Sequence, residues 1–205
     1  MEQVGLEAVF ETAAFQTGLG IYMAGVAAAG AAVVGFGAFL VDSTKKAMEA
    51  EKVQAELNAV LKSTKGAAGM SASEISNMAD ALSKVTPFED EAIMKGQSML
   101  LTFTNIGKNV FPMATEAMLN LAQKFGSMDS ASTQLGKALQ DPVNGVTALR
   151  RVGVMLTDQQ EKQVKEFVKQ GKIADAQKVI LGELATALPG LNMNPSSRSM
   201  IFLTN

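Results

Sequence analysis

The chain has no cysteine, no histidine, no tryptophan and a single tyrosine. Without cysteine there is no disulfide framework and no thiolate chemistry. Without histidine, the commonest general base and the commonest metal ligand are both missing. An excess of either charge is also missing: 18 basic residues stand against 20 acidic ones. No basic stripe of the kind that tracks duplex phosphates is visible, so no direct nucleic-acid site is expected. Aromatics make up only 5% of the residues, and no apolar/polar alternation is long enough to argue for a strand. What is present is alanine, 18 glycines and 13 methionines in a 47% hydrophobic composition. Such a composition suits helices packed closely through small residues, with methionine as adaptable filler. The expected fold class is all-α. A length of 205 residues allows one or two domains with a sizeable core.

Residues 1–18 form an N-terminal segment whose first sixteen positions carry only the acidic charges Glu2, Glu7 and Glu11. Residues 12–41 contain no charge at all. The densest part, residues 19–41, is rich in glycine and alanine and would span roughly 34 Å as a helix, against about 30 Å for a bilayer's hydrocarbon core. A signal peptide is a poor reading, because no basic residue precedes the run and the run is too long. From Ser43 the chain turns polar, with Leu57, Val60 and Leu61 as an apolar stripe and Lys45, Lys46, Glu49 and Glu51 as a solvated face. One long helix is therefore expected over residues 19–62, hydrophobic first and polar after, ended by Gly66-Ala67-Ala68-Gly69.

A compact domain of short helices is expected over residues 68–187. Ser71 and Glu74 have capping-box spacing before Ile75, Met78 and Leu82. Thr86 and Glu89 repeat it, with Pro87 at the first helical position of a helix reaching about Asn105. Pro112 opens a helix ended by Gly126, and another covers about Ala131 to Leu139. Asp141-Pro142 caps and starts the next, which runs to Arg151. Thr157 and Gln160 make a third capping box, opening a helix to Lys169 that Gly171 ends. The last helix spans about Ile173 to Ala187. No repeat of fixed period is visible. Residues 188–205, with Pro189-Gly190, Asn194-Pro195 and Ser196-Ser197, read as an irregular tail.

The most distinctive run is Leu135-Gly136-Lys137-Ala138-Leu139-Gln140-Asp141-Pro142-Val143-Asn144-Gly145-Val146-Thr147-Ala148-Leu149-Arg150-Arg151-Val152-Gly153-Val154. Upstream stand Gly66-Ala67-Ala68-Gly69-Met70-Ser71-Ala72-Ser73-Glu74-Ile75, Thr86-Pro87-Phe88-Glu89-Asp90-Glu91-Ala92-Ile93, Leu100-Leu101-Thr102-Phe103-Thr104-Asn105-Ile106-Gly107 and Val110-Phe111-Pro112-Met113-Ala114-Thr115-Glu116. Downstream stand Thr157-Asp158-Gln159-Gln160 and Ala176-Gln177-Lys178-Val179-Ile180-Leu181-Gly182-Glu183-Leu184. In this order, over residues 47–184, the motifs resemble the tail length tape measure proteins of long-tailed bacteriophages and prophages. The resemblance implies a long helical structural protein of the virion, lying in the tail tube lumen. Tail tube protein polymerises around it, tail assembly chaperones accompany it, and it leaves ahead of the DNA, in some cases meeting the host membrane. Two departures from the family stand out. A fully helical rod of this length spans only about 300 Å at 1.5 Å per residue. After Glu183-Leu184 the sequence turns to Ala187-Leu188-Pro189-Gly190, so a truncated or frameshifted product with an out-of-frame tail is expected.

For residues 19–41 two readings stand: a membrane-inserting helix, with small-residue pairs such as Gly25/Ala29 favouring helix–helix self-association, or a helix buried in protein. In the first case the basic residues Lys45, Lys46 and Lys52 favour that side as cytoplasmic. A small pore or anchor protein is the alternative function. Arg150-Arg151 is read as complementing the C-terminal end of its own helix, and Glu89, Asp90 and Glu91 as partners of a helix N-terminus. Gly136 is read as permitting a close helix crossing. No catalytic, cofactor-binding or metal residue is assigned: a muralytic enzyme without histidine or cysteine would need an acidic pair in a cleft, and none stands out.

Overall fold

The computed structural model describes residues 32–150 and 153–188. The expected segment 1–18, most of the apolar run 19–41 and the tail beyond Leu188 lie outside them. Every regular element among the described residues is a helix: α1 (Ala32–Ser63), α2 (Ala72–Ser83), α3 (Asp90–Leu101), α4 (Phe111–Phe125), α5 (Met128–Gln140), α6 (Val146–Arg150), α7 (Asp158–Lys169) and α8 (Ile173–Ala187). None of them is long and apolar enough to cross a membrane. The chain divides into two compact units, Met1–Glu49 and Ala50–Asn205. Of the first, the described part is the opening stretch of α1; all that follows concerns the second.

The helix ends follow from local chemistry. α1 stops where Lys65 and Gly66 take positive φ and the Gly66 amide donates back to the Leu61 carbonyl at 2.9 Å. α2 starts on the expected capping box: the Glu74 amide donates to Ser71 Oγ at 3.2 Å, and the Ser71 amide donates to Glu74 Oε2 at 2.7 Å. Its Ile75, Met78, Ala79 and Leu82 are buried as one stripe. α7 repeats the device with Thr157 and Gln160, and α4 ends as expected at Gly126, in the left-handed region.

Three boundaries differ from expectation. Thr86 does not cap α3, because its hydroxyl accepts from the Phe88 amide two residues on and closes a local turn instead. The helix therefore begins at Asp90, with Glu89 as a cap lacking a side-chain bond, and it ends at Leu101 rather than near Asn105. α5 begins at Met128, three residues before the expected Ala131, because Ser127 Oγ accepts from the Ser130 amide at 3.2 Å. The helix expected from Pro142 begins only at Val146.

The core is assembled around α3, which packs on α2, α4 and α5; α5 in turn packs on α4 and α6, and α8 on α7 and α4. Phe111, Leu57, Ile75, Leu82, Ile93 and Met118 are among its fully buried side chains. Burying such a side chain contributes about 1.5–3 kcal/mol. Polar groups are buried with them. Thr115 and Ser132 return their hydroxyls to carbonyls of their own helices, but both amide atoms of Gln97 and the Ser98 hydroxyl have no hydrogen-bond partner. Each such atom costs about 1–3 kcal/mol, so α3 is held by shape and apolar contact against that cost.

Candidate functional site at the 135–154 corner

The run that singles out this chain is a helix end, a tight turn and a short helix, and each unusual residue in it has a geometric task. In α5, Gly136 faces the ring of Phe103: a Cβ there would lie 2.1 Å from Phe103 Cε2. What lies nearest Gly136 is therefore the Phe103 ring, from the turn after α3, where a second helix was expected to cross. At the corner, the Asp141 carboxylate accepts from the Asn144 amide at 3.1 Å and from Asn144 Nδ2 at 2.8 Å. The Asn144 side chain, then its backbone amide, hold the Asp141 carboxyl below its ordinary pKa. Gly145 donates to the Asp141 carbonyl at 2.6 Å. A Cβ on Gly145 would meet the Lys137 carbonyl oxygen at 2.2 Å and Ala138 Cα at 2.7 Å. Asp141 therefore caps a turn laid on the end of α5, and this postpones α6 to Val146.

The last carbonyls of α5 lack partners within the helix, as any helix end must, and distant side chains satisfy them. Gln177 of α8 donates from Nε2 to the Leu139 carbonyl at 2.8 Å and to the Asn105 carbonyl at 2.9 Å. Asn105 donates from Nδ2 to the Gln140 carbonyl at 2.8 Å, while Gln140 Oε1 accepts from the Asn105 amide at 3.1 Å. Neither Gln177 nor Asn105 was expected from the sequence to act here. The one available signal is a glutamine in line with the buried Ile180, Leu181 and Leu184 of α8.

No family of known proteins, no curated protein and no solved structure matches this chain.

Beyond the corner, Arg150 lies in the last turn of α6, as expected, but its guanidinium pairs with Glu161 in the first turn of α7. Its interaction reaches across to a second helix; Arg151 lies outside the described residues. Gln160 then ties α7 to α8 by donating from Nε2 to Glu183 Oε2 at 2.7 Å. Between these elements is an open cleft of about 80 Å³. Pro142, Val143, Val146 and Thr147 line it from the corner, and Leu156, Val164 and Lys165 from the α7 side, together with the Arg150–Glu161 pair.

The acidic triplet sits elsewhere. Asp90 and Glu91 occupy the first turn of α3 and Glu89 precedes it, a position where the helix dipole favours negative charge. Glu91 nonetheless titrates above its ordinary value. Its own backbone amide lowers the pKa, but the hydrogen bond with Asp90, partial burial and the charges of Asp90 and Glu89 outweigh that. Among the described residues no three acidic side chains come together to hold a metal ion. The corner fixes the relative placement of α3, α5, α6 and α8, and its polar groups are engaged in holding backbone.

Proposed function

We propose that this chain is a structural protein of a phage or prophage tail, of the tape measure kind, around which tail tube subunits assemble and whose length sets that of the tail. The observation that carries this reading is the ordered set of motifs over residues 47–184, centred on residues 135–154. It is supported by the way the most distinctive of those residues, Gly136, Asp141 and Gly145, serve packing and turn formation. On this reading the chain is not an enzyme, it acts in the tail tube lumen, and its partners are the tube protein and the tail assembly chaperones. Mass spectrometry of density-purified tails from the phage or prophage that carries the gene tests this. Peptides from residues 47–184 are expected in the tail fraction in stoichiometric amount; their restriction to host fractions would overturn the reading.

A second reading, a small membrane-inserting pore or anchor, is favoured by one feature: residues 12–41 carry no charge. Liposome flotation and dye release, with and without residues 19–41, separate the two. Full leakage caused by the chain alone, and lost with that segment, favours the second.

A further inference from the structure

The corner between α5 and α6 holds a chemically labile pair. Asn144-Gly145 is the one Asn-Gly sequence in the chain. In an open chain an asparagine followed by glycine loses its side-chain amide readily, because no Cβ shields the glycine nitrogen from the asparagine Cγ. The attack needs water, a free Gly145 amide and an Asn144 side chain able to turn toward it. Water is at hand, since Asn144 is exposed. The other two are withheld by Asp141. The Gly145 amide donates to the Asp141 carbonyl at 2.6 Å, and Asn144 Nδ2 donates to Asp141 Oδ2 at 2.8 Å. The Asn144 amide donates to Asp141 Oδ1 at 3.1 Å and fixes the backbone between them. The turn also dictates the pair. A Cβ at 145 would lie 2.2 Å from the Lys137 carbonyl oxygen, and Asn144 supplies both hydrogen bonds to the carboxylate.

From this we infer that Asn144 is a deamidation site locked by the closed corner: hydrolysis there proceeds only when the corner opens, and its product keeps the corner from closing again. In the open state the Gly145 nitrogen loses its proton and bonds to Asn144 Cγ. The Cγ–Nδ2 bond breaks, and Nδ2 leaves with that proton as ammonia. Water then opens the cyclic imide, giving either aspartate at 144 or an isoaspartate whose main chain runs through Cβ and Cγ. Both products place a negative charge beside the Asp141 carboxylate, where Nδ2 had donated, and like charges at that distance repel. The isoaspartate also lengthens the main chain by one atom, in a turn that has no room for a methyl group at the next residue. The inference does not depend on the tail reading, since it rests on the turn alone.

The test holds the full chain, kept in solution with a non-ionic detergent, at mildly alkaline pH, once folded and once in guanidinium chloride. Trypsin cleavage after Lys137 and Arg150 then releases residues 138–150, whose fragment masses report amide or carboxyl at 144. Conversion should be slower in the folded chain by roughly tenfold or more, since only the opened fraction reacts. Asp141→Ala, folded as judged by circular dichroism, frees the Asn144 side chain and should raise the folded-state rate by roughly threefold or more. Chains aged in guanidinium chloride and refolded should melt about 5 °C or more below chains refolded without ageing. The variant Asn144→Ser, which has no amide to lose, should show no such drop after the same ageing. Equal conversion in the folded and denatured chains would overturn the proposal, as would a folded Asp141→Ala chain that reacts no faster. So would unaltered melting of refolded chains carrying the modification, or an equal drop in Asn144→Ser.

Discussion

Replacing Gly145 by alanine isolates the part of the corner that has no freedom to adjust. Gly145 does not adopt positive φ, so the new residue meets no backbone strain of its own. Its methyl group would instead lie 2.2 Å from the Lys137 carbonyl oxygen, 2.6 Å from that of Asp141 and 2.7 Å from Ala138 Cα. All three are backbone atoms, at the end of α5 and in the turn that caps it. Relief therefore requires the turn to lift off the helix, breaking the 2.6 Å bond from Gly145 to Asp141. Overpacking costs about 1–3 kcal/mol when side chains can yield. With backbone on every side the upper end applies, so about 3 kcal/mol is expected. At about 2–4 °C per kcal/mol for a domain of this size, Tm should fall by about 6–12 °C. The matched control is Gly182→Ala in α8, where a Cβ meets nothing within 4 Å; it should stabilise the chain by up to about 1 kcal/mol through helix propensity. Thermal unfolding followed by circular dichroism at 222 nm reads both. Equal melting temperatures for the two variants would refute the reading of residues 135–154 as a packed corner.

Further outcomes follow from the same contacts. Glu74 is held down to a pKa of about 2, chiefly by the hydrogen bond from Lys108, then by the backbone and hydroxyl of Ser71. Because this folded-state pKa is depressed, its contribution to stability is present above about 4.5 and is lost as the pH falls toward about 2. In Lys108→Met the Glu74 carboxyl, followed by NMR titration, should titrate markedly higher; an unchanged midpoint would contradict the assignment. Gln177→Leu should cost about 1–2 kcal/mol, since it strands the buried carbonyl of Leu139 and frees the partly buried one of Asn105 while also removing the unpartnered Gln177 Oε1, and denaturant unfolding measures it. Gln97→Met removes two unpartnered buried polar atoms at similar volume, so it should raise stability by about 1–3 kcal/mol; a loss of that size would mean that the amide is satisfied.

Which parts of this structure were legible in the sequence depends on how far apart the deciding partners are. The boxes at Ser71/Glu74 and Thr157/Gln160, and the stop at Gly126, involve neighbours within one turn, and they form as the spacing predicts. Thr86/Glu89 has the same spacing and fails, since the Thr86 hydroxyl has a closer partner in the Phe88 amide. A pattern of residue types does not rank two local acceptor geometries against each other. The clamps at the corner were out of reach for another reason: Gln177 meets carbonyls 38 and 72 residues away, and Asn105 meets one 35 residues away. Gly136 signalled a close helix crossing, but the group nearest to it is the ring of Phe103 from a turn, which only tertiary packing decides.

Tail length tests the proposed ruler role most directly. In the phage or prophage carrying the gene, an in-frame duplication of the 32 residues of α1 adds roughly 48 Å of helix at about 1.5 Å per residue. Negative-stain electron microscopy of assembled tails should show the mean length increased by about that amount. Tails of unchanged length, assembled with the lengthened protein present, would contradict the account.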